Sequence, residues 1–124
     1  MEQRAARDIR KRAFDYDLRA IRRYQHLQKQ SDGACWIIGK QYLRAATSVG
    51  ANIEEAQASE SRADFVHKLG VAQKEVRESL YWLRMLADAH LVPGSRLRPL
   101  VTETEGLVAV ITAIIVNTKL RRAG

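Results

Sequence analysis

Apolar residues recur every three or four positions along almost the whole chain, in four stretches separated by short polar or Gly/Pro breaks. That spacing puts them on one face of a 3.6-residue helix, so each stretch must bury a stripe against another element. The first stretch runs roughly from 4 to 29, with Ile9, Ala13, Ala20, Ile21, Tyr24 and Leu27 in register. Ser31-Asp32-Gly33 reads as a turn, and a second helix is predicted from about Ala34 to Ser59. Its apolar stripe is Ile38, Tyr42, Ala45, Val49, Ile53 and Ala56. Ser61 suits the N-cap of a third helix, with Asp64 in the first turn, where the helix dipole favours negative charge. The stripe of this third helix is Phe65, Leu69, Ala72, Val76, Leu80, Leu83 and Ala87, and Val92-Pro93-Gly94 breaks it. A fourth helix starts near Ser95–Pro99 and aligns Leu100, Thr104, Leu107, Val108, Ile111, Ile114, Ile115 and Thr118. Its β-branched run 108–116 keeps the helical spacing and has no second strand to pair with. The fold expected is all-α, an antiparallel up-down four-helix bundle over residues 14–122. Residues 1–13 form a basic N-terminal arm or an extension of the first helix.

With 124 residues the chain makes one domain with a real core. Cys35 is the only cysteine, so no internal disulfide forms, which fits a reducing cytoplasm. The charged N-terminus lacks the apolar segment of a signal peptide. The apolar run Leu107 to Val116 is too short to span a bilayer and fits a buried helix segment. No Glu is followed by His three residues later, as di-iron bundles require, and His26, His67 and His90 lack zinc-site spacing. Nucleophile motifs and phosphate-binding Gly-rich loops are also missing. Catalysis, metals and cofactors are therefore not expected. Glu54, Glu55, Glu75 and Glu78 are better read as helix-surface or inter-helix ion-pair partners, Lys74–Glu78 being one such pair at i,i+4.

Three features point outward from this bundle. Gln41, Arg44, Ser48, Asn52, Glu55 and Ser59 fall within roughly a 60° arc of the second helix, beside its apolar stripe. Such a row reads either as a polar seam bonded across a helix contact or as a solvated edge. The segment 80–87 is apolar nearly all round, so Tyr81, Trp82 and Met85 point away from the core and suit an oligomer interface. The net charge of +7 is concentrated at the chain ends, with nine Lys/Arg against four Asp/Glu in residues 1–31. Arg12, Arg19 and Arg23 share one face of the first helix, with Arg22 beside them, an arrangement suited to phosphates. No interleaved aromatics suggest base stacking, so any nucleic-acid binding would be backbone-directed. The opposite face is read as lacking bulky apolar residues, which argues against a membrane surface.

The middle of the chain resembles a known family. Gln41-Tyr42-Leu43-Arg44, the stretch from Ser48 to Ala56 (Ser-Val-Gly-Ala-Asn-Ile-Glu-Glu-Ala) and the stretch from Lys74 to Arg84 (Lys-Glu-Val-Arg-Glu-Ser-Leu-Tyr-Trp-Leu-Arg) are similar to the four-helix-bundle family of 23S ribosomal RNA intervening-sequence proteins. Arg62, Phe65 and Lys68 fit the same pattern, which covers about residues 40–122 and leaves the first 13 outside it. Ala56 stands where the pattern often has Gly. The resemblance implies a bundle that closes into a ring of five copies. It also implies kinship with accessory proteins of diversity-generating retroelements, which bind nucleic acid and a reverse transcriptase. It implies no catalytic residue. Two functions are thus expected to compete: an oligomer that holds RNA or DNA, and a scaffold for a protein partner such as a reverse transcriptase.

Overall fold

The computed structural model describes the backbone of residues 2–123 and the side chains of residues 8–121. Most of the basic arm expected at 1–13 therefore lies outside the described side chains. Four helices follow one another: α1 (Glu2–Gln28), α2 (Gly33–Gln57), α3 (Arg62–Asp88) and α4 (Gly94–Ala123). No strand occurs among the described residues. Each helix packs on its neighbour in the chain, and α4 closes back onto α1. Arg12 and Arg23 of α1 reach Glu103 and Arg96 of α4 respectively, so these two helices run antiparallel. The same reversal links α1 to α2 through Arg10–Glu54 and Tyr16–Tyr42, giving an up-down-up-down bundle.

The helix ends have chemical causes. Asp32 caps α2 by accepting the Ala34 N–H at 2.9 Å, and Ser61 caps α3 by accepting the Asp64 N–H at 3.0 Å. Just past α3, His90 adopts the left-handed conformation, with φ 58°, at a position glycine usually fills. Leu91 and Val92 both return their N–H groups to the Leu86 carbonyl, closing the helix tightly. This turn delivers 91–93 against the far end of α1 and starts α4 there. Pro99 lies inside α4 and brings no N–H, so the Ser95 carbonyl lacks its usual partner four residues on.

The core holds the expected stripes, with informative exchanges. On α4, Leu100, Thr104, Leu107, Ile111, Ile114, Ile115 and Thr118 are all buried. On α1, Tyr16 is buried, whereas Ile21, expected inside, is half-exposed. On α3, Ser79 and Leu86 are fully buried, while Phe65, Leu80 and Ala87 are only half-buried. Each fully buried large aliphatic contributes about 1.5–3 kcal/mol. The tyrosines stay inside because their hydroxyls are used. Tyr42 donates to Tyr16 at 2.9 Å, Tyr16 lies 2.6 Å from Thr104 Oγ1, and Thr104 donates to the Leu100 carbonyl at 2.7 Å. Because the chain ends on a carbonyl, which only accepts, every hydroxyl donates in the same direction. Burial pushes the Tyr16 hydroxyl up to about 12 and raises Tyr42 as well.

Candidate functional site

Of the four helix contacts, α1 against α4 is the least closely packed. At one end it is locked: Arg12 makes a bidentate pair with Glu103, both nitrogen–oxygen distances being 2.8 Å. Hydrogen bonding to Arg12 holds the Glu103 carboxyl below its usual value. Gly106 makes this possible, because a Cβ there would collide with Arg12 Nη2. Arg12, expected among the phosphate contacts, is instead committed to the bundle.

Towards the other end the two helices open into a cleft. Arg19, Arg22, Arg23 and His26 of α1 face Arg96, Pro99 and Leu100 of α4 around a cavity of about 230 Å³. No carboxylate lines it, and among the described residues none of these arginines forms an ion pair. Arg23 spans the gap, its Nη2 donating to the Arg96 carbonyl at 3.4 Å. The α4 amino-terminal end, at Gly94, adds the positive pole of the helix dipole. A second cavity of about 360 Å³ shares Arg23, His26 and Arg96 and continues over Leu27, Gln30, Leu91 and Pro93. Arg19, Arg22 and Arg23 thus converge as the sequence suggests, and Arg96 and His26 join them.

The α2–α3 seam is built the opposite way. Arg44 reaches Glu75 at 3.3 Å and also pairs with Glu78. Glu78 accepts the Trp82 indole N–H at 3.1 Å, and Lys68 pairs with Glu55 at 3.1 Å. Asn52 donates back to the Ser48 carbonyl at 2.8 Å, within its own helix. The polar row therefore does cross to α3, through Arg44 and Glu55. Arg44 bonds neither Asn52 nor Glu55, and Gln41 is exposed. Glu78 turns to Arg44 and Trp82, not to Lys74.

Residues 6–113 match the 23S rRNA-intervening sequence proteins. The chain belongs to that family. A crystal structure of a protein of unknown function from the S23 ribosomal protein family of Bacteroides thetaiotaomicron has the same fold. It is 30% identical, with a TM-score of 0.82, and the likeness covers 90% of this chain and 97% of that one. No curated protein matches the chain.

In this 23S rRNA-intervening sequence protein the expected oligomer-interface trio divides. Tyr81 is 55% exposed. Trp82 and Met85 are half-buried within the bundle, and Trp82 packs on the core. The Tyr81 ring meets Trp82 edge-on, with centroids 5.1 Å apart. Trp82 is thus a seam residue first, because Glu78 gives its N–H an acceptor within the bundle. The outward apolar surface lies elsewhere. Phe14, Leu18 and Ile21 form an exposed stripe on α1, which corrects the reading of that face as lacking bulky apolar residues. Trp36 and Ile37 are exposed near the start of α2. On α4, Ala109, Ala113, Val116 and Leu120 face outward, so only part of that apolar helix is buried in the bundle. By length and composition α4 is also the one described helix able to cross a membrane. Among the described residues no cluster of His, Cys, Asp or Glu is arranged to hold a metal.

Proposed function

We propose that this family member is a non-catalytic, cytoplasmic, oligomeric bundle that associates with RNA or DNA through the α1–α4 cleft. The observation that carries the reading is the convergence of Arg19, Arg22, Arg23 and Arg96 on one cavity without a carboxylate. Among the described residues, Arg10, Arg12 and Arg44 have acidic partners, whereas the other arginines outside the cleft that lack an ion pair, such as Arg77 and Arg84, do not line this cavity. Unpaired guanidinium groups repel one another, so a cluster of them is stable only with water and counterions, or with a polyanion that displaces them. Guanidinium forks suit phosphate oxygens, and such contacts position a strand without reading its sequence.

The test uses labelled RNA and DNA from about 50 to 200 mM salt, where counterion release changes affinity steeply. Replacing Arg19, Arg22 and Arg23 together with Gln is expected to weaken binding to all sequences alike. It should also flatten the logarithmic salt slope by roughly two to three, about 0.9 for each phosphate that is no longer neutralised. Equal binding by parent and triple variant overturns the reading.

Assembly belongs to the same proposal. The exposed Phe14, Leu18 and Ile21 stripe and the outward face of α4 favour self-association, and the family resemblance suggests a closed ring of five. A ring would repeat the cleft and convert weak contacts into avidity. Light scattering on a sizing column checks it, and a monomer mass at micromolar concentration rejects it. The same apolar stripe is the observation favouring the second reading, a scaffold for a protein partner such as a reverse transcriptase. In that case one tight protein complex would form whose affinity survives the triple arginine variant.

A further inference from the structure

The α1–α4 cleft is more than a basic surface, because a second cavity shares a wall with the arginine cavity and adds apolar side chains and an amide. The first is lined by guanidinium groups and takes anions. In the second, Leu27, Leu91, Val92 and Pro93 supply an apolar floor. Gln30 supplies an amide there, its Nε2 donating to the His26 carbonyl at 3.4 Å and leaving the side-chain oxygen as an acceptor. Between the two stand Arg23, His26 and Arg96, which belong to both. A volume of about 360 Å³ lies within the range of roughly 300–1,000 Å³ usual for small-molecule sites.

We infer that the cleft seats one unpaired nucleotide unit, its phosphate among the arginines and its base in the second cavity, over Leu91, Val92 and Pro93. The inference rests on the phosphate reading above and adds to it what lies beside the phosphate. A nucleotide has this bipartite character: a dispersed negative charge joined through a sugar to a flat, mostly apolar ring with polar edges. Bases stack on imidazole and guanidinium planes as well as on aromatic rings, so His26, Arg23 and Arg96 compensate for the lack of Phe, Tyr or Trp in the cleft. The Gln30 amide stands where a base edge would come. Duplex bases are paired and stacked inside the helix, so a duplex presents only its backbone and can use only the arginine cavity. The expected ligand class is therefore single-stranded nucleic acid or a free nucleotide, which share this chemistry.

His26 and Gln30 are both exposed, so replacing them leaves the core alone. The full chain is titrated, at about 100 mM salt, with labelled ten-residue oligouridylate and with a ten-base-pair RNA duplex. The parent should prefer the single strand by about tenfold, the scale that one stacked base contributes. The double variant His26→Ala, Gln30→Ala should lose most of that preference, and Gln30→Ala alone, which leaves the arginine cavity intact, should keep the duplex affinity of the parent. Uridine 5′-monophosphate should displace the single strand at lower concentration than inorganic phosphate does. Displacement at micromolar nucleotide marks a free nucleotide as the ligand; displacement only at millimolar nucleotide marks the strand. Equal affinity for strand and duplex, unchanged in the double variant, overturns the nucleotide seat and leaves the phosphate reading standing. Inorganic phosphate competing as well as the nucleotide does the same. Only an unaltered Arg19, Arg22, Arg23 triple variant removes both.

Discussion

The seam between α2 and α3 and the seam between α1 and α4 use similar residues to opposite ends. Across the first, Arg44 and Lys68 find Glu75, Glu78 and Glu55, and the helices pack closely. Across the second, only Arg12 finds a carboxylate, and the remaining cations gather at an open cleft. Around the cleft itself α4 places Arg96, Pro99 and Leu100 and no carboxylate, while Glu103, which also feels Arg19, is tied to Arg12. Pairing makes a cation a structural part; leaving it unpaired costs some stability and leaves its donors available to a ligand. This bundle thus carries both arrangements at once, with the α1–α4 cleft the place where cations gather without a carboxylate.

The largest effect should come from cutting what holds the open seam together. Tyr16 links α1 to both α2 and α4 through its hydroxyl. Tyr16→Phe keeps the ring but leaves the buried Tyr42 O–H without an acceptor, so it should cost about 2–3 kcal/mol in urea unfolding. The ring itself still packs edge-on to Tyr42, centroids 6.4 Å apart, so the loss isolates the hydroxyl chain. Stability matching the parent would mean the α1–α4 seam hangs on Arg12–Glu103 and apolar contacts alone.

Asp17 sharpens the contrast from the other side of α1. Its Oδ1 is sealed from water without a hydrogen-bond partner, and its other oxygen lies against Gly50 of α2, where a Cβ would collide with it. Burial pushes its carboxyl up to about 7, the Gly50 backbone offsetting part of the effect. Because the folded value is raised, the favourable protonated form contributes fully below the unfolded value, near 3.9, and that contribution is lost as pH rises through about 7. Asp17→Asn should therefore match the parent near pH 4 and exceed it at pH 8. The gain should be about 1–2 kcal/mol, reduced from the full linkage value because water reaches part of the side chain. Melting curves across that range check it; a gain independent of pH would show that the charge is not what destabilises.

Single-sequence reasoning recovers what depends on neighbours along the helix and misses what depends on neighbours across the bundle. Ser61 and Asp64 announce the start of α3 locally, and the α4 stripe from Leu100 to Thr118 follows from spacing alone. Tyr16 shares the register of Ile9, Ala13 and Ala20, so its burial is available from the pattern. Its acceptor, Thr104, is 88 residues away. Arg12 looks identical to Arg19 and Arg23 by helical position, and only Glu103, 91 residues on, separates their roles. Arg96 is within reach of the same reasoning. An up-down bundle sets the start of the fourth helix beside the end of the first, so the basic residues after Pro93-Gly94 have to face those of α1. Trp82 escapes for a related reason. Its outward position on α3 says nothing of Glu78, one turn back, already turned toward α2 by Arg44.

The smallest effect is the most direct comparison, because one chemical change should have opposite signs in the two seams. Arg44→Gln leaves Glu75 and Glu78, three residues apart on α3, facing each other without their shared cation. That should lower stability by about 0.5–1 kcal/mol, at the upper end for a half-exposed pair because two carboxylates depend on one guanidinium. Arg22→Gln removes one of four like charges around the cleft, where nothing acidic balances it. That should raise stability by about 0.2–0.5 kcal/mol. Both changes act through exposed charge, so both should shrink toward zero as salt rises to about 1 M, where screening reaches only about 3 Å. Chemical unfolding by urea, which adds no ions, at low and high salt resolves the four values. Opposite signs that converge with salt would confirm that the two seams differ in charge balance. Two losses of the same sign would mean that Arg22 has a structural role and that the cleft is not the uncompensated end of the bundle.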